Sequence, residues 1–207
     1  MNRLITFGCS HTFGAGVPDP DQQVWGKIVS NHLKLEFVKE GIRGSSNKLI
    51  AHQVRNFNFI PSDTVIILWS YLARYGKLED RHTYENFNPA KNTEISNTFY
   101  KHFYSDYDSK FTNKVFINYT LHYLLSLKIK FYFAGITYDT INSLTDINDY
   151  NLPIDFTQYQ ERYKMSAIDK HLNVTGNLLY GNDMTEKILE REYKSTIDLK
   201  FVTGSLL

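Results

Sequence analysis

At 207 residues and 24.2 kDa, the chain is bounded to one domain, or one domain carrying an elaborated insertion. Hydrophobic residues at 42% and charged residues at 22% exclude a disordered tail and supply enough apolar surface for a substantial core. A formal net charge of +1 argues against life on phosphate backbones, so no nucleic-acid partner is expected. The single cysteine, Cys9, excludes an internal disulfide and a Cys-rich zinc site. The apolar run at Met1–Gly8 is too short for a signal peptide, and no run reaches the roughly 18 apolar residues of a membrane span. A soluble, cytoplasmic protein without a membrane partner is expected. The 15 Tyr and 14 Phe could mark sugar- or partner-binding surfaces, but biased codon usage produces the same excess.

In chain order, Arg3 to Phe7 is an apolar run that ends in the loop Gly8-Cys9-Ser10-His11-Thr12-Phe13-Gly14-Ala15-Gly16, the pattern of a buried strand entering a tight turn. Gln22 to Leu33 carries Val24, Trp25, Ile28, Val29 and Leu33 near helical spacing, with Trp25 placed to pack that helix on a sheet. Leu35 to Val38 predicts a second strand, followed by the Gly/Ser loop Gly41–Asn47 and a helix over Leu49 to Phe57 that Ser45 or Ser46 can cap. Asp63 to Trp69 is a continuous β-branched and apolar run, typical of a strand covered on both faces. Residues 76–110 are polar and unpatterned, and read as an insertion with short helices over the top of the sheet. A helix is expected over Thr112 to Leu127, with Val115, Phe116, Tyr119, Tyr123, Leu124 and Leu127 on its buried face. Lys128 to Gly135 predicts a fourth strand, 136–165 a second polar insertion, and Thr185 to Tyr193 a last helix before a tail without assignment.

This alternation predicts an α/β protein: a three-layer sandwich with a central parallel sheet and polar insertions, residues 1–207 forming one domain. In such sheets ligands bind beyond the carboxyl ends of the strands, and three strands deliver suggestive residues there. They are Ser10, then Gly44 with Asn47, then Ser70 with Arg74. A serine on a tight turn beside free backbone N–H groups suits a nucleophile, provided a base lies within reach. The same serine could instead satisfy the turn. Far downstream, Asp169-Lys170-His171-Leu172-Asn173 places an acid two residues before a histidine in a polar loop, where one could orient the other. His32, His52, His82, His102 and His122 lack such a context. Cys9 and His11 have no further ligands at recognisable spacing, so neither metal nor other cofactor is expected. The Gly14–Gly16 loop lacks both a following Gly-Lys-Ser/Thr and a Gly-x-Gly-x-x-Gly pattern, which argues against a nucleotide site.

The block Ile5-Thr-Phe-Gly-Cys-Ser-His-Thr-Phe-Gly14 resembles the first block of the SGNH (GDSL-like) hydrolase superfamily. The Gly41–Asn47 loop is similar to its second block, and Asp169–Gly176 to its last, Asp-x-x-His-Pro-Asn-x-x-Gly. The Gly-Cys-Ser start and Trp69-Ser70-x-x-x-Arg74 look like divergent members met in bacteriophage genomes. The resemblance follows the order of elements along most of the chain and about 25 residues of motif. It implies a flavodoxin-like SGNH fold and hydrolysis of an ester, such as an O-acetyl or acyl group on a carbohydrate. It further implies Ser10 as nucleophile, His171 as base, Asp169 as orienting acid, and the N–H groups of Ser10 and Gly44 as oxyanion donors. A phage-encoded member could be virion-associated. Two departures bear on activity. Asp169 stands two rather than three residues before His171, and the third-block Asn that donates to the oxyanion falls near Leu72. Asn47, Ser70 or Arg74 are the available substitutes, and a lost oxyanion donor costs about a hundred- to a thousand-fold in turnover. A catalytically weak or inactive module that binds a glycan or protein partner is the alternative. Arg74 is expected to pair with a carboxylate of the fold in preference to holding an acidic substrate.

Overall fold

The computed structural model describes residues 2–78, 84–89, 93–142 and 149–204. Four parallel strands, β1 (Arg3–Gly8), β2 (Glu36–Gly41), β3 (Thr64–Trp69) and β6 (Lys130–Gly135), form a sheet in the order β2-β1-β3-β6. Side chains alternate across it. Leu4, Ile66, Leu68 and Ala134 enter one core with Trp25, Val29, Tyr180, Met184 and Ile188, under helices α3 (Trp25–Leu33) and α9 (Val174–Gly204). Ile5, Phe7, Val65, Ile67 and Phe133 enter the other with Ile50, Val54, Ile117, Leu121 and Leu124, under α4 (Asn47–Asn56) and α6 (Asp106–Ser126). This is the expected helix–sheet–helix sandwich. Among the described residues no helix is long and apolar enough to cross a membrane.

The first helical segment is split. Val24 is extended at φ −76°, ψ 147°, so α2 (Pro20–Gln23) ends there and α3 begins at Trp25, whose ring meets Tyr180 edge-on at 5.8 Å. Ser46 caps α4 by accepting from Leu49 N–H. The insertion at 76–110 holds an expected short helix, α5 (Glu94–His102), but it is preceded by an antiparallel hairpin of β4 (Tyr75–Leu78) and β5 (Tyr84–Phe87) that is not among the expected elements. Its residues 79–83 and 90–92, with His82, lie outside the described residues, as do 143–148 of the second insertion. The described remainder of that second insertion holds α7 (Tyr138–Asn142) and α8 (Phe156–Tyr163).

Two helices differ from expectation in extent or face. The face of α6 that packs on the sheet carries Asn113, Ile117, Thr120, Leu121 and Leu124, whereas Val115 and Tyr119 are exposed. Buried Asn113 and Thr120 satisfy their polar atoms on nearby carbonyls, Asn113 on Leu72 and Thr120 on Phe116. That lets polar residues occupy the inward stripe. α9 starts at Val174, well before Thr185, because Asn173 Oδ1 accepts from Gly176 N–H and stabilises its first turn.

Candidate active site

At the carboxyl end of β1 the chain turns at Cys9 into the four-residue helix α1 (Ser10–Phe13), closed by Gly14 at φ +89°. Ile42 N–H bonds to Gly8 O at 3.1 Å, and the Arg43 guanidinium lies over the Phe13 ring at 4.7 Å. The turn containing Gly44 is thereby held on the side of α1. Gly44 sits at φ +80° with nothing within 4 Å of where a Cβ would be. Its N–H meets no acceptor among the described residues.

The third contributor is the loop between α8 and α9. Met165 N–H bonds to His171 O at 2.9 Å, Asn173 N–H to Tyr163 O at 2.8 Å, and Gln160 Nε2 to Lys170 O at 3.0 Å. Within it, Asp169 Oδ1 accepts from His171 N–H at 3.0 Å and lies 2.6 Å from His171 Nδ1. These contacts hold the Asp169 carboxyl below the usual carboxylate range, the backbone hydrogen bond contributing most. A Cβ at Gly16, itself at φ +98°, would stand 2.8 Å from His171 Cβ. Only glycine permits so close an approach of the two loops.

Asp169 and His171 are thus brought together, and His171 is brought to the α1 loop. Ser10 is at the same sheet edge and 6% exposed, but its hydroxyl points to the Cys9 sulfur at 4.0 Å, and no hydrogen bond joins it to His171. The neighbour that touches His171 is His11, with ring centroids 4.9 Å apart; Phe156 meets the other imidazole edge-on at 4.8 Å. His11 Nδ1 has no partner among the described residues. Burial foremost, then the nearby His171 and Arg74, pushes its pKa down to about 3, so it stays neutral. In the sequence, His11 shows only as the residue after a serine, and no spacing signals this stacking. Among the described residues no group of His, Cys, Asp and Glu is arranged to hold a metal ion.

The two provisional oxyanion side chains are tied to each other. Asn47 Nδ2 donates to Ser70 O at 3.1 Å and to Asn113 Oδ1 at 2.8 Å, and its Oδ1 accepts from Ser70 N–H at 2.7 Å. Both amide hydrogens are therefore engaged inside the protein. Ser70 is fully buried and its hydroxyl accepts from Arg74 Nη1 at 2.9 Å. Arg74 also stacks over Tyr71 at 4.9 Å, and no carboxylate among the described residues pairs with it, contrary to the expected structural ion pair. Leu72 is buried and offers no donor side chain. His11, Tyr71, Arg74, Gln160, Lys170 and His171 border an open cleft of about 450 Å³.

No protein-family model matches the chain, and no curated protein matches it in sequence. Its fold is similar to that of a G-D-S-L family lipolytic protein from Desulfitobacterium hafniense, with a TM-score of 0.52 and 14% identity over 90% of this chain and 99% of that one. An acetyl xylan esterase is matched at a TM-score of 0.53 and 16% identity, over 88% of this chain and 97% of that one. A third neighbour is a carbohydrate esterase whose active site displays divergent catalytic and non-catalytic binding functions. It superposes at a TM-score of 0.62 and 9% identity, over 91% of this chain and 65% of that one. At these identities the likeness establishes the fold alone: a parallel α/β sandwich shared with these neighbours across about nine-tenths of this chain.

Proposed function

We propose that the protein is a serine ester hydrolase of SGNH type, acting on an acyl or O-acetyl group carried by a carbohydrate. The observation that carries this reading is the Asp169–His171 pair: a carboxylate 2.6 Å from Nδ1 sets the tautomer and leaves Nε2 as proton acceptor. The Gly16 contact holds that imidazole beside the helix that begins at Ser10. Rotation of the Ser10 hydroxyl from Cys9 toward His171 completes the relay, a tightening that substrate-free sites commonly require. Ser10 Oγ then attacks the ester carbonyl carbon as its proton passes to His171. The N–H groups of Ser10 and Gly44 stabilise the oxyanion. Collapse of the tetrahedral intermediate breaks the C–O bond to the alcohol, which leaves with the proton from His171. Water, activated by the same imidazole, releases the acid and restores Ser10. Asn47 and Ser70 enter this reading as supports of the β3 end, because their polar groups are already committed.

Labelling with a fluorophosphonate probe tests it. The folded wild type is labelled, and Ser10→Ala and His171→Ala are not. Asp169→Asn is labelled at a rate lower by about ten- to a hundred-fold, less than for a buried triad acid because Asp169 is half exposed. Labelling that survives Ser10→Ala overturns the assignment.

Two observations favour a second reading, a binding module on the same fold. Leu72 stands where the third-block donor would be, and Ser10 is bonded to Cys9 and not to His171. A folded wild type that takes no label would establish that reading over hydrolysis, and glycans and partner proteins would then be screened.

A further inference from the structure

Arg74 also borders a second cavity, of about 180 Å³, lined by residues of α5, α6 and β4. Drug-sized sites span roughly 300–1,000 Å³, so this one has room for a single ring with its substituents, not for a chain. One wall is aromatic: Phe99, Phe103, Tyr104 and Phe116. The wall is packed in place, since Phe99 stacks on Tyr75 at 4.7 Å and on Phe87 at 5.2 Å, and Tyr100 anchors it through hydrogen bonds to Ala73 O and Phe87 O. Phe103, 73% exposed, stands at the mouth.

The other wall is charged. Lys48 and Arg74 both border the cavity, and neither meets a carboxylate within ion-pair distance among the described residues. Lys48 lies over the Tyr75 ring at 5.8 Å, and an ammonium with three N–H donors can keep that contact and still donate to a ligand. Asp108 also borders the cavity, and its carboxylate has no protein donor among the described residues. Aromatic faces select a ring, two unpaired cations select an acid, and a free carboxylate selects a ligand that brings hydroxyl donors. An aromatic acid has no hydroxyl ring for Asp108 and would meet it with repulsion. A neutral sugar leaves the two cations unanswered.

We propose that this cavity is a binding subsite for one carboxylated pyranose, the acidic residue of a glycan. The proposal deepens the esterase reading and rests on it for one point: Arg74 borders both this cavity and the His171 cleft, so an acidic ring seated here presents a neighbouring ester to the candidate relay.

The test is calorimetric titration of the full chain carrying Ser10→Ala with methyl glucuronide, methyl glucoside and benzoate, which needs no turnover. Methyl glucuronide binds in the region of about 1 mM, with the glucoside and benzoate at least about tenfold weaker, and its affinity falls as salt rises. Lys48→Gln removes most of the preference for the glucuronide over the glucoside. Phe103→Ala, at an exposed position that does not endanger folding, weakens both sugars. Equal affinity for the two sugars, a preference untouched by Lys48→Gln, or no binding of the glucuronide at about 20 mM overturns the proposal. Tighter binding of benzoate overturns it in favour of an aromatic acid. A folded wild type that takes no fluorophosphonate label, with glucuronide binding intact, would remove the hydrolase reading and leave the subsite standing.

Discussion

His11 holds a neutral imidazole against the side of His171, and this has a consequence for stability that can be read from the sign of its shift. Its pKa in the fold is about 3, against an ordinary value of 6.5. The unfolded chain therefore takes up a proton first as pH falls, and stability drops between about 6.5 and 3, by up to about 1.4 kcal/mol per pH unit. Above pH 6.5 the term vanishes. Asp169 acts in the same direction but lower, because a depressed carboxyl loses its contribution only as pH falls through its own lowered pKa. Urea unfolding between pH 7.5 and 4 measures the window. His11→Gln, which does not titrate, should flatten the slope there and leave stability above pH 6.5 changed only by a constant offset. Equal slopes in the two proteins would show that the buried imidazole is not the group responsible. A second readout concerns the relay: a Gln side chain cannot stack on His171 as a ring does, so the labelling rate at pH 7.5 should fall in the same variant.

At the scale of elements, one amide ties α4 and α6 to the carboxyl end of β3. Asn47, the first residue of α4, bonds to both backbone groups of Ser70 and to Asn113 of α6. Asn47→Asp keeps the acceptor for Ser70 N–H but sets a carboxylate against Ser70 O and Asn113 Oδ1. Two buried carbonyl oxygens losing a donor cost about 2–4 kcal/mol. Chemical unfolding should report that loss, and a change under about 0.5 kcal/mol, the range of an ordinary surface substitution, would show that the tie is dispensable. The same polar ties explain what could be read from the sequence and what could not. β3 was legible almost to the residue because Thr64–Trp69 is buried on both faces and every side chain is apolar or β-branched. The inward stripe of α6 was not, because Asn113 and Thr120 occupy it by bonding to carbonyls, and a hydropathy pattern scores such residues as outward. The start of α9 was hidden likewise: Val174-Thr175-Gly176 has no helical period, and the side chain of Asn173 supplies the stabilising bond. For the site, Asp169 and His171 were legible as a local spacing and Gly44 as a turn glycine. The placement of His11 on His171 and the second cavity at Arg74 were not, since both arise from contacts between segments far apart in the chain.

Across the whole molecule, the parallel sheet has two unlike ends. The carboxyl ends of β1 and β2 open into loops with glycines, that of β3 into Ser70–Arg74, and this end carries the candidate relay. The amino ends are stapled: Arg3, the first residue of β1, grips Asp63 just before β3 through Nε at 2.8 Å and Nη2 at 2.7 Å, and Asp63 also accepts from Ile60 N–H at 2.8 Å. The Asp63 side chain is fully buried and Arg3 is 24% exposed. A desolvated carboxylate is costly to leave unpaired, so this forked ion pair fixes the register of β1 on β3 and does so at the far end from His171. Asp63→Asn retains one acceptor oxygen and turns an N–H₂ group toward the guanidinium. The expected loss is about 2–3 kcal/mol, which for a chain of this length lowers Tm by roughly 5–10 °C. Because the carboxyl-end loops are fixed by their own hydrogen bonds, to Gly8, Tyr163 and Lys170, the labelling rate of the folded fraction at low temperature should remain that of the wild type. Thermal unfolding and probe labelling on the same sample separate the two effects. A fall in labelling rate that tracks the fall in Tm would mean that strand register at the amino end is transmitted through β1 to Ser10, and that stability and reactivity are not divided between the two ends of the sheet.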